Sequence, residues 1–364
     1  MTVASVSDDA VALDLPFIER NANPGDALHG GCAASLGVIG AQVLARSALG
    51  AEMGPFHTAA CQVSYLAAAV AEPVRSTSML LRRGRELVFS DALVETPGGK
   101  RIAQISTLVR GGSGQVPADE VLARGDDGSA DPGEMGPFIG MLPFAAARQL
   151  VVEHMAGSRS RIVMPLGDGN ADFDGGMHEG ALLALLDTTG AMASWAATGP
   201  GRYKASTAAM QAQITGPLPA GELVGYGWVV QRSGDLFWSD VEIAEVGSGR
   251  LCARGTVVYR IVTEGSARRD ERQGGIGMSE RPVRVAVIGA GMSGILSVIK
   301  LREAGIEHVT VYEKADRLGG TWRENTYPGI ACDVPSHLYC YSFALNPDWS
   351  HRYSPGAEIQ AYFE

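Results

Sequence analysis

A carboxylate set in an apolar helix is costly unless something uses it, and Asp187 stands in such a place, after ALLALL and before TTGAMASWAA. Its segment opens with His178-Glu179-Gly180. At a distance of 149 residues the chain reads His29-Gly30-Gly31 ahead of another apolar run, CAASLGVIGAQVLARSAL. A glycine at a helix start leaves free N–H groups and a favourable dipole for developing negative charge, while a carboxylate can activate water or attack directly. The pair suits addition of an oxygen nucleophile to a carbonyl. A second chemistry is written further on. Gly289-Ala290-Gly291-Met292-Ser293-Gly294 lies between an apolar strand-like run and a helix-like run, with Glu313 at the end of a second strand. In such a turn a pyrophosphate approaches the helix N-terminus and the acid accepts hydrogen bonds from ribose hydroxyls.

The elements that must position Asp187 come in duplicate. One shift of 149 residues, without a gap, places Thr58-Ala59-Ala60-Cys61-Gln62 on Thr207-Ala208-Ala209-Met210-Gln211 and Phe89-Ser90-Asp91 on Trp238-Ser239-Asp240. Pro16, Asn21, Arg83, Leu87, Arg101 and Thr107 meet their like at the same shift. Each copy has a short strand-like segment, a long helix apolar on nearly all sides, and then strands rich in β-branched and aromatic residues such as LVFSDALVET and LCARGTVVYRI. One buried helix wrapped by an antiparallel sheet, twice over, is the expected arrangement. Gly, Ser, Pro and charge accumulate at 111–135 and 263–282, which read as joints. The expected organisation is therefore copy one at 1–110, copy two at 136–262 and a third segment at 283–364.

The Asn23-x5-His29-Gly30-Gly31 entry followed by a buried helix resembles the hotdog thioesterases of the phenylacetate-degradation type, here as a double hotdog over roughly residues 11–262. The resemblance implies an α+β double hotdog that hydrolyses acyl-CoA. It also implies that Asp187, nine positions after His178, is the nucleophile or general base, that the Gly30 N–H polarises the thioester carbonyl, and that Thr207 helps place the attacking water. Asn23 would orient the acyl carbonyl or a water, and His29 would support the loop rather than transfer protons. Nine helical residues rise about 13.5 Å and turn to the opposite face, so His178 and Asp187 cannot meet on one atom. A working site therefore needs Asp187 of copy two opposite the helix start of copy one. The counterpart of Asp187 in copy one is Val38, so the complementary site of Val38, Thr58, His178 and Gly180 is expected to be inactive.

In the third segment, Gly319-Gly320-Thr321-Trp322 and NTYPGIACDVPSHLYCYSF closely resemble the FAD domain of Baeyer-Villiger and related class B flavin monooxygenases. The resemblance implies an incomplete α/β Rossmann-like FAD-binding segment. Gly289, Gly291, Gly294, Glu313, Gly320, Thr321 and Trp322 would lie along the FAD, and Asp333 near the isoalloxazine and nicotinamide. The sequence runs out at AEIQAYFE, which reads as an amphipathic helix, and contains no second GxGxxG for NADPH, so oxygenation by this chain alone is not expected.

Composition narrows the rest. With 40 acids against 30 Lys and Arg, a net charge of −10 argues against nucleic-acid or anionic-membrane partners. The start lacks a secretory pattern and no apolar span reads as long enough for a bilayer, so a cytoplasmic protein acting on acyl-CoA is expected. Five scattered cysteines suggest neither disulfides nor a metal site. Two copies in one chain already form the usual hotdog pair, leaving a monomer or a dimer of double hotdogs. Competing readings are a flavin monooxygenase fragment with an accessory hotdog unit and a non-catalytic acyl-CoA-binding double hotdog. Hotdog hydratases fit the spacing of acid and histidine poorly.

Overall fold

The computed structural model describes residues 1–112, 121–201, 203–215, 218–263, 284–341 and 343–364. Nearly all of the joint expected at 263–282 lies outside the described residues. The chain divides into two compact units, Met1–Glu271 and Arg272–Glu364.

The first unit carries the repeat element by element. Helices α1 (Gly30–Leu49) and α4 (Glu179–Thr198) have equal length at the 149-residue shift. Strands β1 (Thr2–Val6), β2 (Ala10–Leu15), β3 (His57–Tyr65), β4 (Val74–Arg83), β5 (Leu87–Glu95) and β6 (Arg101–Arg110) recur as β7 (Val151–Ala156), β8 (Arg159–Met164), β9 (Lys204–Ile214), β10 (Leu223–Ser233), β11 (Leu236–Glu245) and β12 (Leu251–Val262). The twelve join in one sheet ordered β1-β2-β4-β5-β6-β3-β9-β12-β11-β10-β8-β7. The order is symmetric about the antiparallel β3–β9 pair, where Gln62 stands opposite its own counterpart Gln211. A pseudo-twofold axis thus passes between two identical residues.

Alternation explains which face is inward. Burial along β5 and β2 changes with every residue, the period of a sheet with one covered face. The covered face carries the two helices, and glycines let them lie close. A Cβ on Gly37 would stand 2.7 Å from Ile105, and one on Gly190 2.6 Å from Val257. The helices also press on each other. A Cβ on Gly31 would come within 2.6 Å of the Ala184 Cα, and the symmetric pair, Gly180 with Ser35, is as tight.

Two expectations need correction. By length and apolarity α1 could cross a bilayer, contrary to the reading that no span is long enough, but much of it is buried within the unit, and its apolarity serves that burial. The stretch taken as a joint at 111–135 is, from Val121 onward, bound down on the second repeat. Leu122 bridges Arg250, the Met155 N–H donates to the Asp131 carbonyl at 2.6 Å, and Asp126 meets Arg161 at 2.6 Å. Through this stretch the edge strand β7 gains a cover. Two short helices follow, α2 (Gly136–Ile139) and α3 (Pro143–Ala147).

The second unit holds a parallel pair, β13 (Arg284–Ile288) and β14 (His308–Tyr312), joined through α5 (Met292–Glu303). Short helices α6 (Thr321–Glu324) and α7 (Gly356–Phe363) follow, with a small core of Cys332, Trp349, Ile359 and Phe363. The sheet-and-helix order is that of the expected Rossmann-like segment.

The tight crossing gives a direct test. Gly31→Val would force α1 away from α4, and thermal unfolding is expected to show a melting temperature lower by roughly 3–10 °C.

Candidate functional site

Asp187 lies in the third turn of α4 and is 4% exposed. Its Oδ1 accepts a 2.7 Å hydrogen bond from the Thr207 hydroxyl on β9. Its Oδ2 faces the first residue of α1, since a Cβ added to Gly30 would stand only 2.8 Å from it. The same point lies 3.1 Å from Cε1 and Cζ of Tyr65, the last residue of β3. Glycine is required at position 30 because any side chain would strike the acid and the ring. The Gly30 N–H, at the open end of the helix, donates to no acceptor among the described residues. Burial pushes the Asp187 carboxyl up to about 6, with the Thr207 hydrogen bond acting the other way. The structure therefore gathers Asp187, Thr207 and Gly30 from both repeats, and adds Tyr65, which sequence reasoning missed.

His29 does something else. Its Nδ1 accepts from the Gly31 N–H at 2.9 Å, capping α1, and its ring stacks on Phe144 with centroids 3.6 Å apart. Nε2 lies 3.4 Å from the Thr188 hydroxyl. Burial, followed by the Arg148 charge, lowers its pKa to about 3, so the imidazole stays neutral. His178 caps α4 in the same way at 2.8 Å, beside a half-site without the acid, which marks the cap as an architectural role. Asn23 sits in the turn before α1, where its N–H donates to the Ala27 carbonyl at 2.7 Å; its side chain makes no hydrogen bond among the described residues. It is Asn21 nearby whose Oδ1 is engaged, by Arg148 at 3.2 Å.

The complementary half-site is built differently. Val38 is buried where copy two has Asp187, and the hydroxyl of Thr58, the counterpart of Thr207, has no hydrogen-bond partner among the described residues. Glu179, the counterpart of Gly30, instead sends its carboxylate across to copy one. It accepts from Gln42 Nε2 at 2.8 Å and from the Thr58 N–H at 3.1 Å, with His57 Nδ1 3.9 Å away. Burial pushes Glu179 up to about 7, the donors from Thr58 and Gln42 opposing the rise. One helix start faces an acid from the other repeat; the second carries its own.

In the second unit Gly289 adopts φ +93°, and a Cβ on Gly294 would strike the Gly289 carbonyl oxygen, so both are needed for the turn and its packing. A Cβ on Gly291 would meet only the Gly320 Cα, at 3.6 Å, and the Gly319 N–H donates to the Ala290 carbonyl at 2.9 Å. The second glycine motif therefore lies against the first. Glu313 accepts from the N–H groups of Ala290 at 2.7 Å and Ala315 at 3.1 Å, and Arg323 lies 3.1 Å away. These partners hold its carboxyl down to about 2. Much of the acceptor capacity expected for ribose hydroxyls is thus used within the protein. Thr321 opens α6, Trp322 Nε1 donates to the Tyr339 hydroxyl at 3.3 Å, and Asp333 is exposed.

Comparison with known proteins matches this geometry unit by unit. The tesB protein of Mycobacterium avium subs. paratuberculosis superposes with a TM-score of 0.51 at 14% identity, covering 71% of this chain and 95% of that one. A hot dog fold protein of unknown function from Alicyclobacillus acidocaldarius gives 0.52 at 14%, with the same coverage. The first unit is a double hotdog. Residues 287–354 match the family described as NAD(P)-binding Rossmann-like domain. A Baeyer-Villiger monooxygenase of Streptomyces coelicolor is 55% identical over 82 residues, 22% of this chain and 16% of that protein. An uncharacterized monooxygenase of Mycobacterium tuberculosis H37Rv is 61% identical over 85 residues, 23% of this chain and 17% of that protein. The chain spans about a sixth of the length of these relatives. It joins a double hotdog to a segment homologous to flavin monooxygenases.

The raised carboxyl of Asp187 has a cost to the fold. Because its pKa rises from 3.8 to about 6, its contribution to stability is fully present below 3.8 and is lost as pH rises through about 6, roughly 3 kcal/mol in all. Asp187→Asn is expected to melt at a higher temperature than the parent at pH 8, with the difference vanishing as pH falls to 4.

Proposed function

We propose that the double hotdog, with repeats at 1–110 and 136–262, hydrolyses acyl-CoA thioesters at one asymmetric site. The observation that carries this reading is the Asp187 carboxylate of one repeat, held by Thr207, against the open helix start at Gly30 of the other. The thioester carbonyl oxygen lies toward the Gly30 N–H, and Asp187 takes a proton from water as the water oxygen bonds to the carbonyl carbon. Collapse of the adduct breaks the C–S bond, and the proton passes from Asp187 to the leaving thiolate. Thr207 steers the carboxylate and offers its oxygen to the incoming water. An acid whose pKa is lifted to about 6 can both accept and return that proton near neutrality. His29 keeps the helix start in place, and Asn23 stands in the turn that leads into it. The half-site of Val38 stays silent because it has no acid, and the Glu179 carboxylate is held by Gln42 and Thr58.

Purified chain is expected to release thiol from a panel of acyl-CoA substrates, with Asp187→Ala slower by at least about 100-fold. The rate of the parent enzyme should fall as pH drops through about 6, because the protonated acid cannot accept the proton from water. A rate indifferent to pH between about 5 and 8 would exclude Asp187 as the base.

For the second unit we propose an FAD site, supported by the monooxygenase relatives and by a glycine turn that stays open above Gly291. FAD, when bound, supplies the redox chemistry. The chain's part is to offer the glycine-turn N–H groups and the start of α5 to the pyrophosphate, with Gly320, Thr321 and Trp322 alongside, Glu313 bracing the turn from beneath and Asp333 exposed nearby. Added FAD is expected to lose fluorescence in the presence of the chain. Gly291→Ala, whose added Cβ would meet the protein only at the Gly320 Cα, 3.6 Å away, should weaken that change.

A further inference from the structure

Tyr65 ends β3 with its hydroxyl buried and without a hydrogen-bond partner among the described residues. A buried hydroxyl in that state is a standing penalty to the fold, so its retention calls for an explanation. The fold itself does not need it, because the counterpart in copy two, Ile214, is aliphatic and sits at the half-site that lacks the acid. The ring stands on the side where Asp187 is. Cε1 and Cζ, the carbon that bears the hydroxyl, are each 3.1 Å from the point above Gly30 that lies 2.8 Å from Asp187 Oδ2. Asp187 is not the partner, for its Oδ1 is engaged by Thr207 and no bond joins Oδ2 to the phenol.

We infer that the Tyr65 hydroxyl donates a hydrogen bond to the thioester carbonyl oxygen beside the Gly30 N–H, so that the oxyanion formed on addition of water meets two donors. This rests on the thioesterase reading above. No proton leaves the phenol: it stays an O–H donor throughout, while the proton of water goes to Asp187 and then to the departing sulfur. Burial and the nearby Asp187 charge raise the phenol pKa well above its usual value, which keeps the donor protonated. Both donors come from the first repeat and the base from the second, and the substrate carbonyl closes the gap between them.

The test is Tyr65→Phe in the full chain, beside the parent and Asp187→Asn, with thiol release from hexanoyl-, decanoyl- and benzoyl-CoA. The expected result is an unchanged or higher melting temperature, kcat lower by on the order of 100-fold and KM within about threefold. A kcat within about twofold of the parent, or a loss carried by KM alone, overturns the inference. So does a lower melting temperature, which would make the hydroxyl structural. If Asp187→Asn is inactive while Tyr65→Phe keeps full rate, only the role of Tyr65 fails. If the parent releases no thiol from any of the three, the thioesterase reading fails and the role of Tyr65 with it.

Discussion

Two helices cross where each offers a glycine to a small residue of the other, and the rest of the first unit follows from that contact. Where Gly31 meets Ala184, and Gly180 meets Ser35, the backbones approach closer than any larger residue would permit. Only at this spacing can an acid in the third turn of α4 reach the first residue of α1. The sheet beneath supports the same constraint, because the β3–β9 pair fixes the axis about which the helices cross. Dispersion and burial hold the crossing, and the polar chemistry is suspended from it.

That arrangement places two carboxylates in a low-dielectric interior with opposite consequences. Among the described residues Asp187 has one donor, Thr207, and its other oxygen faces an open helix end. Glu179 is met by donors from Gln42 and Thr58, which leaves it a bridge between the repeats. Burial lifts both carboxyls toward neutrality, so the difference between them lies in which partners each one has.

Much of this was legible in the sequence. The 149-residue shift foretold equal helices and matching strands because a duplicated unit must bury the same face twice. Asp187 is legible because an unpaired carboxylate in an apolar helix is costly, and Gly30 because its short entry motif recurs at one fixed shift; the structure brings both together with Thr207. Tyr65 and Glu179 are invisible to the agreement between the copies. Both lie where the copies differ, Tyr65 against Ile214 and Glu179 against Gly30, and such departures are the signal that would have found them. Asn23 depended on a loop path that no periodicity records. The Arg323 contact of Glu313 likewise arises from residues whose meeting depends on how two glycine loops fold against each other.

The sheet runs unbroken through both repeats with identical residues, Gln62 and Gln211, on its axis. In a pair of separate identical subunits, any change at the position of Gly30 would appear on both sides of that axis at once, and a glutamate there would stand at both helix starts together. Carrying the two halves on one polypeptide removes this coupling. Each position exists in two versions that can change independently, so one half can drift toward cohesion while the other keeps its opening. The symmetry that remains in the backbone is the mould, and the differences between side chains record how far the two castings have since been filed apart.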